Sequence, residues 1–432
     1  MVNLSWIYGH AKTTWAHPTS PIQLTTKSGD EVSLSEFCKA TVPECHLNPL
    51  LFNGHLQTCY TAIKEEGPAL TYKRKTFESD DVNYPGQFTV DFVARESSPK
   101  DDTLPKRTTY YSEKELEQIG SLDSKPMIIA LHGLSGGSHE LYLRHAIAPL
   151  LTPEAGWEGC VINARGCAMS KLTTDRLFNA RASWDVRQLV KWLRVKFPNR
   201  QLYGIGFSLG ATILTNYVAE EGASCELKAA VVISSPWNLE VSNIVLQSTW
   251  VGLNLYCRVL GGSVLKLFEI HSEQILKNPL IDEKKVRSIR FLYEFDRYVQ
   301  GPTWGYPTEG AYYRDASSVD ALNNVRIPLL AINAQDDPIA CNEAIPYEEF
   351  KLNPYAVLCA TSMGGHLGWF QIGGKRWFAQ AATDFLKRFE TDVDTAATAT
   401  KNPALNSNAV TLGKGPRFDP LRRRLHDPAI EP

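Results

Sequence analysis

No Cys-x-x-Cys pair occurs in this chain, and its nine cysteines lack the regular spacing of a disulfide framework. That pattern excludes a disulfide-stapled secreted domain and points to a reducing compartment, the cytoplasm. No run of His, Cys and carboxylate residues has ligand spacing, so neither a metal nor another cofactor is expected. Charge of one sign is missing as well. A formal net charge of −2 and a pI near 6.6 give nucleic acid no electrostatic footing. No apolar run reaches membrane-spanning length, and Met1 to His10 lacks the basic stretch and apolar core of a leader. Ala429 to Pro432 matches neither a peroxisomal nor an ER-retention signal. The expectation is a protein that is soluble, or that lies only peripherally against membranes or lipid droplets.

What the chain does carry is Gln201-Leu202-Tyr203-Gly204-Ile205-Gly206-Phe207-Ser208-Leu209-Gly210-Ala211, an apolar strand that ends in Gly-x-Ser-x-Gly and opens into a helix. A sharp strand-to-helix turn lifts one side chain above a sheet, and only small neighbours at Gly206 and Gly210 permit it. Ser208 is therefore the candidate nucleophile. The N–H of Leu209 and the positive end of the following helix both face the place where an oxyanion would form.

A serine hydroxyl needs a base, and the base needs an orienting carboxylate. Arg326 to Ala334 reads as a buried strand running into Gln335-Asp336-Asp337-Pro338, and Tyr355 to Thr361 as another, followed by Ser362-Met363-Gly364-Gly365-His366. Acid and base thus follow the serine in the order used by α/β-hydrolases, each just past a strand end. Pro338 biases Asp337 toward an extended backbone, which makes Asp337 the expected acid and Asp336 its alternative. His366 is the expected base. A second oxyanion donor is expected from the loop after the strand Met127 to Leu131, where the N–H of Leu134 partners that of Leu209. His132 precedes the serine and reads as a residue that shapes this loop.

At 432 residues the chain is long enough for one α/β core with an inserted cap. Residues 1–63 read as an N-terminal extension and 64–390 as the hydrolase domain. Tyr72 to Arg95 alternates like an antiparallel pair, Glu96 to Lys125 looks like a surface insertion, and strands and helices then alternate as in a parallel sheet covered on both faces. Between about 237 and 325 the alternation stops in favour of apolar and aromatic segments, which read as a cap lining an acyl pocket. From Thr391 to the end the Ala/Thr repeats and Arg422-Arg423-Arg424 read as a disordered tail with a solvated basic triplet.

The stretch Asn48-Pro49-Leu50-Leu51-Phe52-Asn53-Gly54-His55-Leu56-Gln57-Thr58, the loop His132 to Arg144, Asn163-Ala164-Arg165-Gly166-Cys167 and Asn333 to Pro338 resemble the signatures of AB hydrolase family 4. That group includes fungal monoacylglycerol lipases and medium-chain ethyl ester synthases/esterases. The resemblance implies an α/β-hydrolase fold and a Ser208, Asp337, His366 triad acting on a small-molecule medium-chain acyl ester. The alternatives are an acyltransferase that passes an acyl group from acyl-CoA to an alcohol, and a lipid-binding module without chemistry. Met169 stands where a small residue is expected, which predicts a changed pocket shape. No His has an Asp five positions later, so the H-x-x-x-x-D motif proposed for acyl transfer is missing. His55 and Arg165 belong to the quoted motifs and are read as structural.

Overall fold

The computed structural model describes residues 9–64, 66–95, 101–402 and 417–426. The readings on a leader and on a C-terminal signal fall largely on residues 1–8 and 427–432, outside these. After β1 (Thr13–Ala16), a hairpin of β2 (Gln23–Thr25) and β3 (Glu31–Ser33) leads into α1 (Leu34–Thr41) and α2 (Gly54–Ile63). Next come β4 (Thr71–Glu78), β5 (Gln87–Ala94), β6 (Thr108–Tyr110) and α3 (Glu113–Gln118). The alternating part runs β7 (Met127–Leu131), α4 (Leu141–Ile147), β8 (Glu158–Asn163), α5 (Ser183–Lys196), β9 (Leu202–Phe207), α6 (Leu209–Glu221) and β10 (Leu227–Ile233).

One ten-stranded sheet has the order β1-β12-β11-β10-β9-β7-β8-β5-β4-β6, where β11 is Leu329–Ala334 and β12 is Ala356–Thr361. Its centre, from β12 to β8, is parallel, while β1, β5 and β4 run antiparallel to neighbours. Every residue of β7, β9, β11 and β12 is buried. That is why these strands read as continuous apolar runs: helices cover both faces and leave no polar side to alternate with. On one face α1, α4 and the long Trp377–Asp392 helix pack together, and on the other α5 packs on α6.

The segment between β10 and β11 is helical. It holds α7 (Leu239–Ser248), α8 (Arg258–Ile275), α9 (Glu283–Arg287), α10 (Leu292–Phe295), α11 (Gly301–Trp304) and α12 (Glu309–Ala316). The chain bends by 115° between Leu239–Ser248 and Gly252–Ile275, and no single helix among the described residues is long and apolar enough to cross a membrane. Val264, Phe268, Ile275, Phe295 and Val299 form a second core with Leu177 and Phe178 from the loop after β8. The helical layer therefore sits on that loop, above the serine strand. The helices α13 (Tyr347–Leu352), α14 (Trp377–Asp392) and α15 (Thr395–Lys401) complete the α-structure of the described residues.

Three readings of the chain's organisation are corrected. Residues 1–63 are not a separate extension, because β1 pairs with β12 as the edge of the main sheet and α2 lies against the loops after β11 and β12. The stretch after Glu96 is not wholly an insertion, since β6 pairs with β4 at the opposite edge; residues 96–100 lie outside the described part. Nor is the tail wholly disordered. Asp394 caps α15 by accepting from the N–H groups of Ala396 and Ala397, and the Ala-rich run has the propensity to continue as a helix. This helix docks on the hairpin through the 2.9 Å bond from the Thr25 N–H to Thr398 Oγ1. A short ribbon of β13 (Arg417–Asp419) and β14 (Arg424–His426) follows. Within the basic triplet, Arg423 donates to the carbonyls of Asp315 and Ser317 and is not simply solvated.

Candidate active site

Ser208 adopts φ 51° and ψ −120°, a backbone state that L-residues rarely occupy and that costs about 1–3 kcal/mol. Two glycines make room for it. A Cβ on Gly206 would lie 2.6 Å from the Gly210 carbonyl oxygen, and one on Gly210 would lie 2.4 Å from that of Leu131. The Ser208 N–H donates to the Ile233 carbonyl at 2.9 Å, which ties the turn to β10. Leu209 then begins α6, so its N–H is one of those a helix leaves unpaired at its start.

His366 Nε2 lies 2.8 Å from Ser208 Oγ, and Nδ1 lies 2.9 Å from Oδ2 and 3.2 Å from Oδ1 of Asp337. Asp337 is buried and its Oδ1 also accepts from the N–H groups of Ile339 and Ala340, each at 2.8 Å. With Nδ1–H donating to this fixed carboxylate, Nε2 is left as an acceptor facing the serine hydroxyl. Asp336 is turned elsewhere: its Oδ1 accepts from the Gly365 N–H at 3.0 Å, and Oδ2 is buried without a partner. Burial pushes the Asp336 carboxyl up to about 6, with the Gly365 bond opposing and the neighbouring Asp337 charge adding.

The loop after β7 packs against the serine, where a Cβ on Gly133 would lie 3.3 Å from Ser208 Cβ. The Gly133 N–H is engaged by Tyr142 Oη at 2.8 Å. Leu134 comes next and, with Leu209, Ser208 and His366, lines a cavity. Cap residues Leu239, Leu246 and Leu292 supply much of its apolar wall. His132 lies behind the loop. Its Nδ1–H donates to the Gly133 carbonyl at 2.6 Å and its Nε2 accepts from the Ala164 N–H at 3.0 Å, while burial pushes the ring down to about 4. It is a neutral brace.

Two residues read only as structural now have partners. Arg165 forms a buried ion pair with Asp185 and also donates to the carbonyls of Tyr84 and Pro85. His55 Nδ1 lies 2.8 Å from Tyr256 Oη with the rings stacked, which ties α2 to the cap. Met169, expected to change the pocket's shape, is 53% exposed at φ 58° and is not among the residues that line the cavity. Ligand atoms of His10, Glu44 and His46 lie within 4.8 Å of one another, because a bridge between residues 10 and 46 joins segments that sequence spacing keeps apart.

Sequence reasoning missed the residues that hold the histidine loop. The His366 N–H donates to Thr58 Oγ1 at 2.8 Å, the Phe370 N–H to Gln57 Oε1 at 2.7 Å, and the Leu367 N–H to Ser234 Oγ at 3.1 Å. The signal was the motif from Asn48 to Thr58, which had no role until α2 was seen beside the loop.

The α/β hydrolase fold family matches residues 126–371, the span from the start of β7 past His366. The chain belongs to this family. As an α/β hydrolase it is 37% identical to a monoacylglycerol lipase of Saccharomyces cerevisiae, over 84% of this chain and 86% of the relative. It is 30% identical to the medium-chain fatty acid ethyl ester synthase/esterase 2 of the same yeast, over 84% of this chain and 90% of that one. An esterase from Pyrococcus furiosus superposes with a TM-score of 0.44 at 18% identity, covering 74% of this hydrolase and 91% of that chain.

Proposed function

We propose that this chain is a carboxylic ester hydrolase that cleaves medium-chain acyl esters through an acyl-Ser208 intermediate. The observation that carries the reading is the unbroken line of hydrogen bonds from Asp337 through His366 to Ser208, opening onto an apolar cavity. His366 Nε2 takes the Oγ proton as Oγ bonds to the ester carbonyl carbon. The N–H groups of Leu134 and Leu209 receive the resulting oxyanion. Collapse breaks the bond to the alcohol oxygen, which leaves with the proton held by His366. Water then repeats the sequence and releases the acid. The two yeast relatives carry lipase and esterase names, in line with this chemistry.

Acyl transfer to an alcohol as the main reaction is not favoured, since no His precedes an Asp by five residues. Acyl-CoA, a thioester of the same acyl group, is a further substrate under this reading. The nine free thiols fit the cytoplasm. We also place the cap against a lipid surface, because Ile244, Trp250 and Val259 are 60%, 77% and 59% exposed around its bend. The deciding experiment is hydrolysis of octanoyl esters by wild type and by Ser208→Ala, with products analysed with and without added alcohol. A folded Ser208→Ala retains at most the residual rate of binding and oxyanion stabilisation, about a thousandfold over water. Near wild-type turnover would refute the assignment.

A further inference from the structure

Asp296, just after α10 in the cap, is 5% exposed and lines the same cavity as Ser208 and His366. Its Oδ2 accepts a 2.6 Å hydrogen bond from Tyr313 Oη. Its Oδ1 has no protein donor among the described residues, and the residue forms part of the cavity wall. No cation compensates it among those residues. The adjacent Arg297 turns away to pair with Glu309. Burial, with the Glu309 charge adding to it, pushes the Asp296 carboxyl up to about 7.

A lone buried acid held by one tyrosine is a poor device for stability, because an apolar pair of the same shape would fill the site without the cost of desolvating a charge. The surrounding wall, with Phe178, Leu209 and Leu292, is apolar and would accept such a pair. What the carboxyl adds is a strong buried hydrogen-bond acceptor in a wall that is mostly apolar but also carries Ser242, Asn243 and Tyr312. A neutral hydroxyl suits it best: it brings a donor, loses little hydration compared with an ammonium, and is served by either protonation state of the acid.

Resting on the ester-hydrolase reading, we infer that Asp296, braced by Tyr313, is a subsite that binds a free hydroxyl group of the substrate. The hydroxyl belongs either to a polyol on the alcohol side of the ester or to a hydroxylated acyl chain. A site built to pair a hydroxyl discriminates strongly against analogues that lack it, because its own polar group is then left unmatched.

The test compares kcat/KM for ethyl octanoate, 1-octanoylglycerol and ethyl 8-hydroxyoctanoate. It uses wild type, Tyr313→Phe and the double variant Asp296→Leu/Tyr313→Phe, which replaces both partners by apolar groups of similar shape. In wild type one hydroxylated ester is favoured over ethyl octanoate by roughly ten- to a hundredfold, and which one it is identifies the side of the ester that reaches Asp296. The double variant loses that preference, whereas Tyr313→Phe, which keeps the carboxyl, retains part of it. Equal wild-type values for the three esters, within about twofold, overturn the subsite. So does a double variant that keeps the preference or loses activity equally on all three. The wild-type ratios decide the matter if the double variant does not fold. Wild-type protein that hydrolyses none of the esters refutes the hydrolase reading itself, and the subsite with it.

Discussion

The main-chain N–H of His366 donates to Oγ1 of Thr58, 2.8 Å away and 308 residues earlier in the chain. Thr58 Oγ1 in turn donates to the Gly54 carbonyl at 2.6 Å, so one hydroxyl fixes both the first turn of α2 and the loop that presents the imidazole. Asp336 holds the preceding Gly365 N–H and Gln57 the later Phe370 N–H. The ring is thus aimed by its backbone as well as by Asp337.

Thr58→Val removes the acceptor while keeping the side chain's shape. The expected result is a fall in kcat of roughly ten- to a hundredfold with KM little changed, since misplacing the base weakens the transition state more than the bound ester. Thr58→Ser restores the rate. Steady-state kinetics on one octanoyl ester check this, and a Val variant with wild-type kcat would show that the loop holds its position without Thr58.

Asp337→Asn leaves the volume unchanged but removes the carboxylate that orients Nδ1–H and stabilises the imidazolium. The expected loss in kcat is on the order of ten-thousandfold. Asp336→Asn, whose amide oxygen still accepts from Gly365, costs far less. Parallel kinetics of the two variants test the assignment, and the reverse ranking would make Asp336 the acid.

Asp336 also predicts a pH dependence of stability. Its folded-state pKa of about 6 lies above the ordinary carboxylate value, so the native state binds this proton more tightly than the unfolded chain does. The contribution is favourable below pH of about 4 and is lost as pH rises through about 6. Asp336→Asn should therefore raise Tm at pH 7 by a few degrees, with the gain vanishing toward pH 4. Thermal melts of both proteins across this range measure it; an equal difference at all pH values would be inconsistent with a titrating Asp336.

The apolar cavity predicts acyl-chain selectivity. Each buried methylene contributes about 0.8 kcal/mol, so kcat/KM rises from acetate to near octanoate until the cavity is full and falls thereafter. A series of p-nitrophenyl esters gives the profile. A maximum at acetate would mean that the cap closes the pocket short of an acyl chain.

Trp250→Asp and Ile244→Asp place charges on the outer face of the cap bend. Co-sedimentation with phosphatidylcholine vesicles should fall several-fold in each variant, while turnover of a soluble short-chain ester stays near wild type. Unchanged vesicle binding would remove this face from the lipid contact.

Sequence alone determined the serine elbow and the parallel core. Glycines two residues either side of Ser208, between a buried strand and a helix, leave few backbone solutions, and fully buried strands announce themselves as apolar runs in β7, β9, β11 and β12. It also placed Asp337 and His366 just past strand ends, because open α/β sheets gather their loops there. Through Pro338 it favoured Asp337 as the acid but left Asp336 open; the loop's path turns one to the imidazole and the other to Gly365. It did not assign β1, the α2 clamp or the His10, Glu44, His46 cluster, each of which joins segments far apart in the chain. Asp296 was one acid among many until the cap folded over Ser208. Local pattern encodes what neighbouring residues do to one another, whereas these placements depend on long-range packing, where a side chain's partners are set by which elements meet in space.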